Sequence, residues 1–359
     1  MANIKTITPV HISNGETFFF IKQQHYIYSL DTIMNKSSLS EEKIQNLSNI
    51  HNPTKKDFTH LFEVQFNHLT INDAVNSNTI YARNILKDTG KMIQAENTLG
   101  QAYIPGSSLK GAFVNVFWFY TIQHNDMIRN NLIRNLDKNG INKLDETIQN
   151  LRKFLVVNDI YFYNGFVAYD LGRYNKKNSS ILALDTIETI DKNQFVSQAI
   201  VKELTIEEKN DLLKLKNNLQ QNLKEDKVAF ELVNEMYHFI LNFKEIFPIA
   251  NREYMRMIIE KEQEYVDYTI NKKVDKQYLQ QFYQQILSRL ENGEIIMQIG
   301  KYTNYMDKTS AIAFGRYYYD HFNKFAPHSK KQRPTIDSMN LIKVNDVGKY
   351  PFGFIQLEL

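Results

Sequence analysis

The chain has 359 residues, with 43 Lys plus Arg against 40 Asp plus Glu and a formal net charge of +3, so any nucleic-acid surface has to be a local feature. Hydrophobic residues make up 43% and aromatics 13%, which excludes a disordered or low-complexity class and allows a substantial core. There is no Cys, which excludes disulfides and thiolate metal sites.

At this length two domains are the natural expectation, with one large domain open. Met1-Ala2-Asn3-Ile4-Lys5 carries no apolar signal core, and no apolar run is long enough to span a bilayer. A cytoplasmic protein with no membrane partner is expected.

Ile4 to Ile12 reads as a strand, with Pro9 suiting an edge or a bulge. Ser13-Asn14-Gly15-Glu16 reads as a turn, and Thr17–Ile21 and Tyr26–Leu30 as extended pieces. Ser37–His60 is polar with a helix start at Ser38 or Ser40, and Phe58–Ile71 alternates as a strand. Residues 72–102 are polar and irregular, the pattern of a long loop.

Pro105-Gly106 then punctuates the chain, and Ser107 or Ser108 is placed to cap a helix by accepting a first-turn N–H. Leu109, Ala112, Phe113, Val116, Phe117 and Tyr120 fall on one helical face, expected to pack on a sheet. Lys110 stands where the helix dipole favours an anion, so a phosphate bound there would use both the free N–H groups and the ammonium.

Phe154–Phe162 reads as a buried strand, Tyr169–Ser180 as a basic loop and Phe195–Val201 as a further strand. Thr205-Ile206-Glu207-Glu208 has the form of a capping box. Residues 206–245 are strongly helical, with Pro248 expected to end the helix. The stripe from Tyr278 to Leu290 is a helix closed by Asn292-Gly293. Glu294–Ile299 reads as a strand, Ala311–Tyr319 as a helix, and Leu341–Leu359 as two extended pieces about Gly348-Lys349-Tyr350-Pro351. The order predicts an α+β chain that fits the split βαβ of ferredoxin-like domains.

Four pieces resemble one family: Thr8-Pro9-Val10-His11-Ile12-Ser13-Asn14-Gly15-Glu16; Tyr103 through Gly111; Ile299-Gly300-Lys301-Tyr302-Thr303-Asn304-Tyr305 with Lys308-Thr309; and Tyr350-Pro351-Phe352-Gly353-Phe354. Together they are similar to the RAMP superfamily of CRISPR effector proteins, and most like the family of the fifth Csm subunit of the type III-A complex. Tyr302 and Asn304 stand where glycine is common in that family.

The resemblance implies a ferredoxin-like (RRM-like) RAMP fold in two domains with helical insertions, divided near residue 200 into an N-terminal part (1–200) and a C-terminal part with a helical insertion (201–359). It implies a subunit at the end of the Csm filament that touches the spacer-distal 3′ part of the CRISPR RNA and is needed for its maturation and for antiviral defence. Its neighbours would be the repeated backbone subunit and the small helical subunit, with trimming left to host nucleases.

RNA-backbone binding needs N–H donors, cations and stacking rings. Gly106, Ser107, Ser108, Lys110 and Gly111 offer donors and charge. Lys301, Tyr302, Thr303, Tyr305 and Lys308 offer charge, a hydroxyl and rings. His11 and Ser13 follow the first strand, on the side where the family's RNA would lie. A β-branched residue at Gly111 is expected to crowd the approach of helix to RNA or strand.

No cofactor, metal or catalytic residue is expected. There is no Walker-type Gly-Lys-Ser/Thr, no His-x-x-x-His and no paired metal-binding carboxylate motif. The candidates for acid–base work, His11 with Asp31 or His25, lack a diagnostic spacing. The alternatives carried forward are a metal-independent RAMP endoribonuclease with His11 as general base, and a protein-only scaffold.

Overall fold

The computed structural model describes residues 3–20, 27–28, 91–94, 102–135, 138–162, 166–300, 303, 310–321 and 338–359. The expected elements in 37–60 and 58–71 lie outside them.

The strands are β1 (Asn3–Thr6), β2 (Ser13–Phe20), β3 (Ile27–Tyr28), β4 (Lys91–Gln94), β5 (Ala102–Ile104), β6 (Ile160–Phe162), β7 (Phe166–Asn175), β8 (Ile181–Ile190), β9 (Phe195–Ser197), β10 (Ile295–Gln298), β11 (Ser338–Val344), β12 (Val347–Tyr350) and β13 (Phe354–Glu358). The helices are α1 (Gly106–His124), α2 (Asp126–Arg134), α3 (Lys138–Gln149), α4 (Ile206–Asn222), α5 (Lys227–Leu241), α6 (Phe243–Tyr268), α7 (Lys276–Glu291) and α8 (Arg316–Asp320).

A four-stranded sheet runs β10-β13-β1-β9 with every neighbour antiparallel. A seven-stranded sheet runs β12-β11-β7-β8-β4-β2-β3, and β5 pairs with β6 alone. This is the expected α+β class. Residue 200 falls just after β9, and both large sheets draw strands from both sides of it. Among the described residues a large core cluster runs from Ile4 to Leu357, and a smaller one is formed by Leu171, Ile187, Ile342 and Phe352.

The apolar face of α1 meets helices rather than a sheet. Phe113 packs on Phe247 of α6 at 4.7 Å and Phe117 on Phe239 of α5 at 5.2 Å between ring centroids. Val114, Trp118, Phe119 and Ile122 are buried as well, so α1 is enclosed nearly all round. Asn251 of α6 closes the outer edge of β10 by donating its amide to the Ile296 carbonyl at 2.9 Å.

Several expectations shift for physical reasons. Ser13–Glu16 is no turn but part of β2, whose register against β4 slips between Ser13 and Thr17. Tyr169–Asn175 belongs to β7, leaving only Lys176–Ser180 as the connection to β8. The run Phe154–Phe162 begins in a 3-10 turn, touches Val201 through Val157, and is a strand only from Ile160.

Pro248 does not end a helix. It sits within α6, giving up one N–H near the helix start while Phe247, Ala250, Tyr254, Met255 and Ile258 stay buried and hold the segment helical. The Thr205–Glu208 capping box forms as expected, and Gly293 follows α7 at φ +87°. The tail holds three strands, because Asn345 and Asp346 at positive φ make a tight hairpin between β11 and β12.

Candidate nucleic-acid interface

Three of the four quoted pieces meet at one end of the four-stranded sheet. Thr8 Oγ1 accepts the Phe354 N–H at 2.8 Å, and the Gly353 N–H donates to the Pro9 carbonyl at 2.9 Å. Ile299 N–H donates to the Gly353 carbonyl at 2.9 Å, and the Gln298 amide reaches the Phe352 carbonyl at 2.9 Å. Thr303, buried, turns its hydroxyl back to the Gly300 carbonyl at 3.1 Å.

Two glycines make this approach possible. Gly300 has φ +113°, and a Cβ there would stand 2.6 Å from the His11 carbonyl oxygen. Gly353 has φ +82°, and a Cβ there would stand 2.0 Å from the Ile299 carbonyl oxygen. His11 is completely buried in this joint. An enclosed imidazole is poorly placed to take a proton from a ribose hydroxyl.

The fourth piece lies elsewhere. β9 pairs with β1 so that Ser197 stands beside Asn3, at the opposite end of β1 from Thr6 and His11. Beyond Ser197, the Gln198 amide donates to the Asp159 carbonyl at 2.7 Å, and Asp159 Oδ1 accepts the N–H of Gly106 at 2.7 Å. Pro105 therefore occupies the N-cap position of α1, with no capping bond from its own side chain, in place of the expected Ser107 or Ser108. The carboxylate comes from the residue just before β6, and it complements the helix dipole. Gly106 is buried, and a Cβ there would lie 2.1 Å from the Val157 carbonyl oxygen.

One turn further on, the site changes character. Ser107 is exposed and Ser108 half-buried. Lys110 is half-buried, and its ammonium is held below the ordinary lysine range, first by burial and then by the Arg152 guanidinium. Among the described residues no carboxylate lies within ion-pair distance of Lys110. Arg152 itself pairs with Asp145, which also accepts the Trp118 indole N–H at 3.1 Å. Gly111 is exposed, and a Cβ there meets nothing within 4 Å among the described residues.

Next to this helix start, β5 and β6 place Tyr103 opposite Tyr161, with rings stacked at 5.5 Å and 25°. Their neighbours Ala102, Ile104, Ile160 and Phe162 are buried, so the tyrosines lie on the more open face.

Ser13 opens β2 opposite Gln94. Lys301, Tyr302, Tyr305 and Lys308 lie outside the described residues, as do His25 and Asp31. Sequence reasoning missed Asp159, Arg152 and Tyr161. The one local signal was Asn158-Asp159, a polar break inside an apolar run that a buried strand has no reason to contain. Among the described residues no helix is long and apolar enough to cross a membrane.

Four antiparallel strands joined across a glycine-dependent contact, with a helix start whose cation has no carboxylate within ion-pair distance among the described residues, define the class as a mixed α+β protein. The family model described as the RAMP superfamily matches residues 3–305, and the chain belongs to that superfamily. It is similar, over 100% of its length and 100% of the other chain, to a chain from a cryo-EM structure of a Csm-crRNA-target RNA ternary complex in a type III-A CRISPR-Cas system, at TM-score 0.58 and 15% identity. It is also similar to Csm5 of T. onnurineus, with 99% of each chain covered, TM-score 0.50 and 15% identity. No curated protein sequence matches.

Proposed function

We propose that this chain is a non-catalytic CRISPR RNA-binding subunit of a cytoplasmic type III-A Csm effector complex, capping the spacer-distal 3′ end and needed for crRNA maturation and antiviral defence. The observation that carries this reading is the end-to-end likeness in fold to a chain of a Csm-crRNA-target RNA complex, with neither chain left over. Its partners are CRISPR RNA, the repeated backbone subunit and the small helical subunit, with host nucleases doing the trimming.

The geometry supports the RNA contact at Lys110. A half-buried ammonium beside Arg152 is costly unless an anion comes to it, and a backbone phosphate is such an anion. Ser107, exposed at the same helix end, is a hydroxyl donor within that region. Lys301, Tyr302, Tyr305 and Lys308 belong to the same proposal, following directly on the joint at Gly300. The burial of His11 supports a non-catalytic role.

The test is co-expression with the other Csm subunits and a CRISPR array. Wild type is expected to enter the particle and crosslink to the crRNA, and Lys110→Glu to weaken RNA retention. A particle that assembles with crRNA of normal length when this chain is omitted overturns the reading. A discrete cut of labelled repeat–spacer RNA by the purified protein in EDTA, lost in His11→Ala, would establish the endoribonuclease instead.

A further inference from the structure

A second surface, away from α1 and absent from the residues assigned above, combines rings and cations in a continuous row. Tyr350 at the end of β12 and Tyr278 in the first turn of α7 meet edge to face at 5.1 Å between centroids. Lys192 places its ammonium 4.5 Å from the Tyr350 centroid, and Lys349 places its own 5.1 Å from the Tyr278 centroid. All four side chains belong to partly exposed residues.

The row is rigidly founded. Tyr278 continues inward through Phe282 to Phe354, at 6.4 and 5.2 Å, so the rings rest on the core. Asp191 accepts the Tyr169 hydroxyl at 2.6 Å and the Lys192 N–H at 2.7 Å, while Asp275 caps α7 through the Tyr278 N–H at 3.1 Å. Asp191 and Asp275 are thus engaged by the framework, and Asp275 also forms an ion pair with Lys349 at 4.0 Å.

The surface also borders the joint of the three motif pieces. The turn carrying Lys192 binds β1, with Asn193 N–H on the Thr6 carbonyl at 2.7 Å and the Thr6 hydroxyl on the Asp191 carbonyl at 2.6 Å. Tyr350 is followed by Pro351, Phe352 and Gly353, which reach Pro9.

Cations held over ring faces are pre-ordered, which lowers the entropy lost when they meet a phosphate. Rings interleaved with cations are the pattern that holds single-stranded nucleic acid by stacking and charge without base readout. We infer that Tyr278, Tyr350, Lys192 and Lys349 form a second binding surface for single-stranded RNA, sequence-independent, extending the path beyond the contacts proposed at α1. This rests on the RNA-binding reading above.

The test uses the full-length protein and a fluorescent 20-mer oligouridine, with affinity measured against salt. Lys192→Ala/Lys349→Ala is expected to flatten the log–log salt slope by about 1.4, the release expected for two phosphate contacts on a single strand. Tyr350→Ala is expected to weaken binding by about five-fold or more, while Tyr350→Phe, which keeps the ring, binds as wild type. Unchanged thermal midpoints exclude misfolding as the cause.

An unchanged slope and affinity in the double-lysine variant overturn the inference. If Lys110→Glu loses affinity in the same assay, the RNA-binding reading survives that failure. A wild type with no affinity overturns both. A double-lysine variant that binds RNA normally but fails to enter the Csm particle makes the surface a protein interface, and the inference falls.

Discussion

Gly353→Ala tests whether the joint between the chain's two ends and its residue-300 segment is built as described. The substitution places a methyl 2.0 Å from the Ile299 carbonyl oxygen and 2.9 Å from Thr303 Cγ2. The backbone at φ +82° costs an L-residue about 1–2 kcal/mol before any clash. Relieving the overlap pulls apart the Gly353–Pro9 and Gly353–Ile299 hydrogen bonds, each with a net worth of about 0.5–1.5 kcal/mol. The sum is a loss of about 3 kcal/mol, a large share of the roughly 5–15 kcal/mol that holds a typical protein folded. Urea unfolding followed by the fluorescence of Trp118, the chain's single tryptophan and a buried one, reads it directly. Gly111→Ala is the control, expected to raise stability by about 0.5–1 kcal/mol because its Cβ meets nothing among the described residues and a helical alanine replaces a glycine. A Gly353→Ala loss below about 1 kcal/mol would refute the description of the joint.

Asp159→Ala removes the carboxylate that caps α1 at Gly106 and is expected to cost about 1 kcal/mol in the same assay, with RNA affinity unchanged or tighter, since one negative charge leaves the helix start; weaker RNA binding in this variant would contradict the electrostatics. Lys110 has its proton affinity lowered in the fold, so the unfolded chain binds the proton more tightly between that lowered value and the ordinary lysine value, and stability at this site rises with pH across that alkaline window. Lys110→Met is therefore expected to raise the urea midpoint at neutral pH, to lose the alkaline rise, and to weaken RNA binding; a lowered midpoint counts against a desolvated ammonium.

The helices were legible where sequence period and end signals agreed. Thr205 with Glu208 and Asn292 with Gly293 mark real ends, and the Tyr278–Leu290 stripe faces the core. Pro248 misled because local chemistry opposed the helix while tertiary burial of Phe247 and its successors favoured it. The apolar run Phe154–Phe162 carries no period, and only its contacts decide where turn gives way to strand. The partner of a helix end is likewise invisible in sequence. Gly106 is capped by Asp159 from 53 positions away, so Ser107 and Ser108, the best local candidates, were passed over. Tyr350 and Tyr278 come from separate parts of the chain and become neighbours where Val274 bridges Gly348, with the Asp275 N–H donating to the Gly348 carbonyl at 2.9 Å and the Gly348 N–H to the Lys273 carbonyl at 2.8 Å.

The quoted motif residues divide into two kinds once their neighbours are known. Gly106, Gly300, Gly353 and His11 are used up by the chain itself: the first three are sites where a Cβ would strike a carbonyl, and His11 lies inside the joint that Gly300 and Gly353 permit. A residue of that kind brings backbone to backbone and has no surface left for a ligand. Lys110, Ser107 and Gly111 keep open chemistry at the same helix start: a cation with no carboxylate in reach among the described residues, an exposed hydroxyl, and a clear approach to the backbone. On the proposed reading RNA therefore runs one turn along α1 from its sealed end, and the helix dipole, already met by Asp159, contributes less to phosphate binding than the charge of Lys110, since Arg152 is itself met by Asp145. On the same proposed reading the glycines of the motif hold the backbone in place, and the flanking cations and rings are the groups left to meet RNA.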